Sequence, residues 1–149
     1  MFEKLKSIDD APFNLLLLAD PSMDMVLEKL NKGECFLYKV ESEVIGCYVL
    51  NRVTRNRVEL VNIAVSEKNQ GCGMGKQLIL HAFGYAKESG YSEIVVGTGN
   101  SSIGQIAFYQ KAGFRMLEIN KGFFERHYKE KIYENGILCR DMIMFLKQL

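Results

Sequence analysis

The chain has 149 residues, 48% of them hydrophobic and 25% charged, and this length and composition predict one folded domain spanning residues 1–149. With 19 basic and 18 acidic residues the net charge is only +1, which argues against a protein that binds nucleic acid by neutralising phosphates. The longest aliphatic run, Leu15–Ala19, is too short to cross a membrane, and the N-terminus lacks a signal-peptide pattern, so we expect a cytoplasmic protein without a membrane partner.

The four cysteines, Cys35, Cys47, Cys72 and Cys139, are dispersed along the chain and lack the spacing of metal ligands. Cys35 and Cys47 lie inside apolar runs, which is typical of buried thiols. We therefore expect no metal site, and a reducing compartment suits all four thiols.

The first half of the chain is predicted to form two helices followed by antiparallel strands. Phe2–Ile8 has the pattern of a short first strand, and Pro12–Ala19 has that of a helix with proline in its first turn. Ser22 is of the N-cap type for a second helix, which Gly33 ends. The following apolar runs predict a hairpin and a third strand, with the bounds Cys35–Val40, Val44–Val53 and Val58–Val65.

A glycine-rich turn, Gln70–Lys76, links the Val58–Val65 strand to a helix that begins at or near Gly75. This helix ends at Gly90 and carries an apolar stripe at 3.6-residue spacing, formed by Leu78, Ile79, Ala82, Phe83 and Ala86. The β-branched run Glu93–Thr98 then predicts a strand parallel to Val58–Val65, because a crossover helix joins the two.

The last third of the chain predicts one more helix and two strands. The helix is capped by one of three polar residues, Asn100, Ser101 or Ser102. Its inward residues are predicted to be Ile103, Ile106 and Ala107, and Gly113 ends it. Strands are predicted for Phe114–Ile119 and Ile137–Leu146, and the aromatic, charged segment Lys121–Asn135 between them is predicted to be a loop facing a substrate. These elements indicate a mixed α/β domain.

The glycine turn is a candidate phosphate site, because unpaired N–H groups at a helix N-terminus bind phosphate oxygens. A Walker loop would need glycine where the chain has Gln70, and Ser or Thr where it has Gln77. The dinucleotide fingerprint would need glycine at the position of Lys76. Spacing therefore excludes both nucleotide loops, while a tight connection without a ligand stays open as the alternative.

The spacing Gln-x-x-Gly-x-Gly, formed by Gln70, Gly73 and Gly75 between a strand and an amphipathic helix, resembles the cofactor motif of the GCN5-related N-acetyltransferase (GNAT) superfamily. Phe108–Phe114 resembles a second signature of that family, a tyrosine followed by Gly-Phe. The order of elements is also similar, so the resemblance covers nearly the whole chain. It implies a GNAT-like fold, with a mostly antiparallel sheet, one parallel and splayed strand pair, and helices on both faces.

The resemblance implies that acetyl-coenzyme A (acetyl-CoA) is the co-substrate, bound where the two parallel strands splay apart. Its diphosphate would rest on the backbone of Gln70, Gly71, Cys72, Gly73, Met74, Gly75 and Lys76. Its pantetheine would lie against Ile63, Ala64 and Val65, where a backbone N–H would polarise the thioester carbonyl. Many family members have asparagine seven residues before the tyrosine. Here that position is Ser102 and the asparagine is Asn100, so either residue could contact the cofactor.

Amine acetylation needs a base for the amine and a donor for the departing thiolate. Tyr109 matches the family tyrosine and is the candidate donor; its alternative role is packing. Glu59 is the candidate base, because burial at the start of an apolar strand would raise its pKa and its offset from Ala64 matches the family glutamate. An exposed Glu59, with a water chain leading to another base, is the alternative. Asn62 could orient a water or substrate, or satisfy a β-bulge.

Two histidines and several aromatic residues complete the candidate set. His81 lies off the apolar stripe and is expected to be solvated, while His127 could contact a substrate. Phe123, Phe124 and Tyr128 are expected to be exposed, where they could serve a homodimer face or a substrate.

The predicted function is therefore transfer of an acetyl group from acetyl-CoA to an amine by direct attack in a ternary complex. The acceptor is predicted to be a small-molecule amine or a protein amino group, and nothing in the sequence chooses between them. A non-catalytic acyl-CoA sensor on the same fold is the first alternative, and a nucleotide-binding module is the second.

Overall fold

A computed structural model describes residues 1–149, which form nine strands, five helices and two short 3-10 turns at Ile8–Asp10 and Glu67–Asn69. The strands are β1 (Phe2–Lys4), β2 (Gly33–Val40), β3 (Glu43–Arg52), β4 (Arg57–Val65), β5 (Glu93–Gly99), β6 (Arg115–Asn120), β7 (Ile132–Glu134), β8 (Ile137–Cys139) and β9 (Met142–Gln148). The helices are α1 (Phe13–Ala19), α2 (Met23–Lys32), α3 (Met74–Glu88), α4 (Ile103–Lys111) and α5 (Phe123–His127).

Seven strands form one mixed sheet in the order β1-β2-β3-β4-β5-β9-β6, and β7 pairs with β8 as a separate hairpin. All neighbours in the large sheet are antiparallel except β4 and β5, which are parallel as the crossover through α3 predicts. The last strand, β9, lies between β5 and β6, so the C-terminal part of the chain borders the parallel pair.

Helices cover both faces of the sheet and enclose two apolar clusters. On one face α3 and α4 pack over a cluster whose fully buried members include Tyr48, Leu78 and Phe145. On the other face α1 and α2 pack over a smaller cluster that includes Leu16 and Cys47. The sheet is thus buried on both sides in its centre, which explains why its strands are continuous apolar runs and lack strict alternation.

A β-bulge at Val61 interrupts the alternation along β4. Val49 pairs with Asn62, whereas the next residue of β3, Leu50, pairs with Leu60, so Val61 is the extra residue. Before the bulge Leu60 faces the α3 cluster, and after it Ile63 faces the same cluster while Ala64 faces the α1–α2 cluster. The bulge therefore places side chains three residues apart on the same face.

The structure corrects the predicted face of α4. Ile103 is 51% exposed and Ala107 is exposed, whereas Tyr109 is the buried residue of the helix and Ile106 is partly buried. The prediction gave weight to the aliphatic residues, but the contacts of α4 are aromatic. Tyr109 packs against Phe114 and Phe145, with ring centroids 5.7 and 6.0 Å away.

Three segments also differ from the predicted elements. Phe2–Ile8 contains only the short β1 before the 3-10 turn begins at Ile8. Lys121–Asn135 is not an irregular loop, because it contains α5 and β7, which are too short to show periodicity. Ile137–Leu146 is two strands, since the side chain of Asn100 accepts the backbone N–H groups of Arg140 and Asp141 and turns the chain there.

Candidate active site

A cleft of about 1220 Å³ opens where β4 and β5 separate. The two strands pair from Arg57 with Glu93 to Leu60 with Val96, and no further. Beyond that point Val61–Val65 and Gly97–Gly99 form opposite walls of the cleft. The volume is that of a site for a large organic ligand.

Backbone groups of β4 face the gap left by the missing strand pairing. Ser66 donates its N–H to Ile45 of β3 at 2.9 Å, and backbone direction alternates along an antiparallel strand. Ile63 and Val65 therefore direct their N–H and C=O groups away from β3, into the cleft. Gln70 uses one of these groups, since its side-chain amide donates to the Val65 carbonyl at 3.0 Å. Ile63, Ala64 and Val65 all line the cleft.

The glycine turn has the conformation that only glycine adopts readily. Gly71 and Gly73 have φ values of +77° and +88°, and a Cβ atom at either position would meet nothing within 4 Å. The space over this turn is therefore open. The first helical bond of α3 runs from the Gln77 N–H to the Gly73 carbonyl, so the N–H groups of Met74, Gly75 and Lys76 have no helical partner.

The other residues of the turn differ in whether they reach the cleft with a side chain. Gly75 approaches α4 closely, since a Cβ there would lie 3.2 Å from the Phe108 ring. Lys76 is exposed and places an ammonium group at this mouth of the cleft. Cys72 and Met74 do not line the cleft: the Cys72 thiol donates to the Asn69 carbonyl, and the Met74 side chain is buried in the core. Only the backbone N–H groups of these two residues could therefore contact a ligand at the turn.

Tyr109 lies at the floor of the cleft, with 4% of its surface exposed. Burial away from water raises the pKa of its hydroxyl. The phenol therefore stays protonated at neutral pH and is available as a donor to whatever occupies the cleft.

Asn100 and Ser102 have separate roles in the structure. Asn100 is fully engaged in the fold, because its side chain donates to the Leu138 carbonyl at 3.1 Å and accepts the two N–H groups beyond β8. It does not line the cleft. Ser102 does line it, and its hydroxyl donates to Glu134 at 2.8 Å.

Glu59 lies in the part of β4 that still pairs with β5, and it lines the cleft. It is half-buried, and it faces the α1–α2 side because its neighbours Val58 and Leu60 face α3. Burial raises the pKa of its carboxyl, and the positive charge of Lys29 opposes that rise. Its position and its raised pKa are those of a general base.

Asn62 has the only buried side-chain polar atom without a partner. Its amide N–H donates to the Leu16 carbonyl of α1 at 3.1 Å, while its Oδ1 accepts no hydrogen bond. An unpaired buried polar atom of this kind costs about 1–3 kcal/mol of stability. Asn62 also lines the cleft.

A buried network closes the α1–α2 side of the cleft. The Asp20 carboxylate is 4% exposed, binds the Lys29 ammonium at 2.7 Å, and accepts the Tyr128 hydroxyl at 2.9 Å and the Ser22 N–H at 3.1 Å. It thereby fastens the Phe123–Tyr128 segment to α2. No sequence motif marks Asp20 or Lys29 as site residues, although Asp20 directly precedes the Pro21-Ser22 start of α2.

The aromatic residues of that segment were predicted to be exposed, and this prediction is wrong. Phe123, Phe124 and Tyr128 are half-buried and line the cleft. The homodimer therefore stays a prediction that these side chains do not support. We call the part of the cleft formed by the glycine turn, α3 and α4 the α3 side. We call the part formed by α1, α2 and Phe123–Tyr128 the α2 side.

Neither histidine lines the cleft. His81 is not solvated as predicted: it is half-buried, its Nδ1 lies 2.6 Å from the Tyr48 hydroxyl, and its ring stacks on Phe2 at 3.8 Å. His127 is exposed and packs on the Phe123 ring. The structure contains no group of three or more His, Cys, Asp or Glu residues arranged for a metal ion, and none of its helices has the length and apolarity to traverse a bilayer.

Comparison with known proteins gives consistent matches over this chain. The acetyltransferase (GNAT) family model matches residues 3–114. YvbK, an uncharacterized N-acetyltransferase of Bacillus subtilis strain 168, is 53% identical over 135 residues, which are 91% of this chain and 87% of the relative. A GNAT family acetyltransferase from Elizabethkingia anophelis, solved with acetyl-CoA bound, is 45% identical with a TM-score of 0.97, over 100% of this chain and 97% of the other. A Bacillus subtilis acetyltransferase solved with CoA is 49% identical with a TM-score of 0.93, over 99% and 97% of the two chains.

Proposed function

Since this chain belongs to the acetyltransferase (GNAT) family and uses acetyl-CoA as its acetyl donor, we propose that it acetylates a primary amine by direct attack in a ternary complex. The acceptor is a small-molecule amine or an amino group of a protein. The mostly antiparallel sheet with its one parallel pair is the fold of this family.

One observation carries the proposal. Groups suited to hold acetyl-CoA and a group suited to activate an amine line the same cleft from opposite sides. The unpaired N–H groups at the start of α3 and the open space over Gly71 and Gly73 suit a diphosphate. Glu59 faces the cleft from the other side, with its pKa raised.

We assign the cofactor contacts to these groups. The backbone from Gln70 to Lys76 would hold the diphosphate, with Cys72 and Met74 contributing N–H groups alone. Ile63, Ala64 and Val65 would pair with the pantetheine, and the Val65 N–H would polarise the thioester carbonyl, where donors fixed in advance are most effective. Ser102 is preferred to Asn100 as the polar residue before α4, because Asn100 is engaged in the fold.

The reaction moves two protons. Glu59 takes one from the entering ammonium, and the freed lone pair forms the new C–N bond as the C–S bond breaks. The sulfur departs as a thiolate and gains a proton from Tyr109, and the second proton of the nitrogen, which leaves when the amide forms, returns to the Tyr109 oxygen. Tyr109 donates to that sulfur, since its hydroxyl has no competing acceptor in the protein and its raised pKa keeps it protonated.

The test combines binding and turnover. We expect acetyl-CoA to raise the melting temperature, because a ligand that binds only the native state stabilises it, whereas ATP and NAD should not. We also expect amine-dependent release of the CoA thiol above the rate without amine. A protein that acetyl-CoA stabilises, but that releases no CoA with any amine or amino-terminal peptide, would instead be the acyl-CoA sensor. Stabilisation by ATP alone would favour the nucleotide-binding module.

A further inference from the structure

Asn62 carries an unused hydrogen-bond acceptor at a place where ligands enter. The residue is 5% exposed, its amide N–H is fixed by the Leu16 carbonyl, and this bond leaves Oδ1 without a donor. Rotating the amide would set Oδ1 against a carbonyl oxygen, so the orientation is determined. Because buried polar atoms are nearly always paired, this atom is a candidate for a ligand contact.

The bulge at Val61 brings Asn62 to the same face of β4 as Glu59. In a regular strand, residues three apart point to opposite faces. Here Glu59 and Asn62 both face the α2 side, where Lys29 influences Glu59 and Leu16 binds Asn62. Their Cα atoms are separated by about 10 Å or less along the bulged strand, and both residues line the cleft.

The α2 side offers one unpaired carboxylate. The Asp20 carboxylate is occupied by Lys29, Tyr128 and Ser22. The other acidic residue of the cleft, Glu134, accepts the Ser102 hydroxyl at the start of α4. Glu59 has no ion-pair or hydrogen-bond partner, so this region can neutralise a single ammonium group. A second ammonium of the same substrate would meet Lys29 or an apolar wall.

Apart from Glu59, Asn62 and the Asp20–Lys29 ion pair, the walls on the α2 side of the cleft are mostly apolar. They are formed by Leu17, Leu18, Met25, Phe123, Phe124 and Tyr128. Contact of such walls with hydrocarbon or an aromatic ring is favourable because it buries apolar surface, whereas burying a charged group against them is unfavourable. Together with the single free carboxylate, they describe a substrate with one amine and an apolar body.

We propose that Glu59 and the Oδ1 of Asn62 form the acceptor-amine subsite, and that the acceptor is a primary monoamine whose aliphatic or aromatic body lies on the apolar α2 side. This inference rests on the proposed function and specifies its substrate. An entering ammonium has three N–H bonds. Glu59 removes one proton and thereby frees the lone pair, and Asn62 accepts a hydrogen bond from one of the two N–H bonds that remain. Asn62 thus aims the lone pair at the thioester carbon.

Two variants of Asn62 separate substrate binding from a structural role. Asn62→Leu removes the oxygen, and Asn62→Asp keeps it; both lose the bond to Leu16. We expect Asn62→Leu to raise the KM of the amine roughly tenfold while leaving the KM of acetyl-CoA unchanged, and Asn62→Asp to restore most of the amine KM. Equal amine KM values for the two variants would overturn the role of Oδ1, whatever their melting temperatures.

A matched pair of substrates tests the class of amine. Pentylamine and 1,5-diaminopentane have the same carbon chain and differ only in the second amine. We expect kcat/KM at least tenfold higher for pentylamine, and we expect Met25→Glu, which adds a carboxylate to the wall, to reduce that preference. A preference for the diamine or for an aminoglycoside in the unmodified protein would overturn the monoamine assignment.

The outcomes distinguish this inference from the proposed function. If no amine is acetylated although acetyl-CoA raises the melting temperature, the proposed function fails and the subsite fails with it. If amines are acetylated but neither Asn62 variant changes the amine KM selectively, acetyl transfer stands and only the subsite is wrong.

Discussion

The α3 side of the cleft is made from nearly continuous chain, whereas the α2 side joins segments that are far apart. The glycine turn runs directly into α3, and Gly75 lies close to Phe108 of α4. On the α2 side the hydrogen bond from Tyr128 to Asp20 spans 108 residues. The α3 side presents backbone groups, which depend on conformation, and the α2 side presents side chains, which depend on tertiary contacts. Substitutions should therefore affect the two sides separately.

The largest effect is expected for Glu59→Gln, which removes the base of the α2 side. We expect kcat to fall by about 100-fold or more, because a general base contributes that much, while the Kd of acetyl-CoA measured by calorimetry stays the same. In the native protein, activity should fall as pH drops through the raised pKa of Glu59, since only the ionised carboxylate accepts a proton. The variant should lose that limb of the pH profile. A retained limb would assign the base to another group.

The same substitution should stabilise the protein at neutral pH. Burial raises the pKa of Glu59 in the folded state, so folding disfavours its ionised form. The stability that comes from the neutral form is fully present below the unfolded pKa and is lost as pH rises through the folded pKa. The amide of the variant would carry no charge at any pH. We therefore expect a higher melting temperature for Glu59→Gln at pH 7 and a smaller difference at pH 4; equal temperatures at pH 7 would mean that Glu59 is solvated.

Tyr109→Phe tests the group nearest the junction of the two sides. We expect kcat to fall roughly 10- to 100-fold, because the sulfur loses its donor, with acetyl-CoA affinity nearly unchanged. Removing the hydroxyl leaves no buried group unpaired, since it has no partner in the protein, and the ring contacts with Phe114 and Phe145 remain. The melting temperature should stay the same or rise. Unchanged turnover would assign Tyr109 to packing alone.

The two sides of the cleft also differ in how well the sequence predicts them. The glycine turn could be predicted because the positions that need positive φ, Gly71 and Gly73, lie in one short motif. The α2 network could not, because nothing local links Asp20 to Tyr128. A β-bulge was considered for Asn62 because that residue is polar, but its position at Val61 could not be predicted, since Val is an ordinary strand residue and the extra position is defined only by pairing with β3.

The wrong prediction for His81 also results from contacts between residues that are far apart in the sequence. His81 lies off the apolar stripe of α3 and was expected in solvent, yet β1 covers it with Phe2, and Tyr48 hydrogen-bonds it. Helical periodicity indicates the face of the helix that packs on the sheet, and it does not indicate a distant strand that packs on the flank of the helix. The antiparallel strands before the glycine turn and the parallel pair were predicted from turns and from the crossover helix, and the helices on both faces from the resemblance to the GNAT family; these predictions are confirmed. The position of β9 between β5 and β6 was not predicted.

Gly73→Ala should act on the α3 side alone. The φ of +88° at Gly73 costs an alanine about 1–2 kcal/mol, with no steric clash, so the variant should be less stable and should bind acetyl-CoA about tenfold more weakly. Gly84→Ala is the matched control: it lies inside the same helix, its Cβ would also meet nothing within 4 Å, and alanine should stabilise the helix by about 0.5–1 kcal/mol. The amine KM should not change in either variant. A comparable loss of acetyl-CoA affinity in both variants would mean that the conformation of the turn is not what binds the diphosphate.

The smallest effect is expected for Tyr128→Phe, which loosens the α2 side without touching its reactive groups. The change removes one hydrogen bond to Asp20, so we expect a loss of about 1 kcal/mol in stability and a rise of about threefold in the amine KM, with the KM of acetyl-CoA constant. Tyr133→Phe provides the control, because Tyr133 is 62% exposed on β7 and its hydroxyl has no partner. Asp20 would still bind Lys29 and Ser22 in the variant, which is why the effect is small. An equal rise in the KM of acetyl-CoA would show that a change on the α2 side also alters the α3 side. The two sides would then not respond independently to substitution.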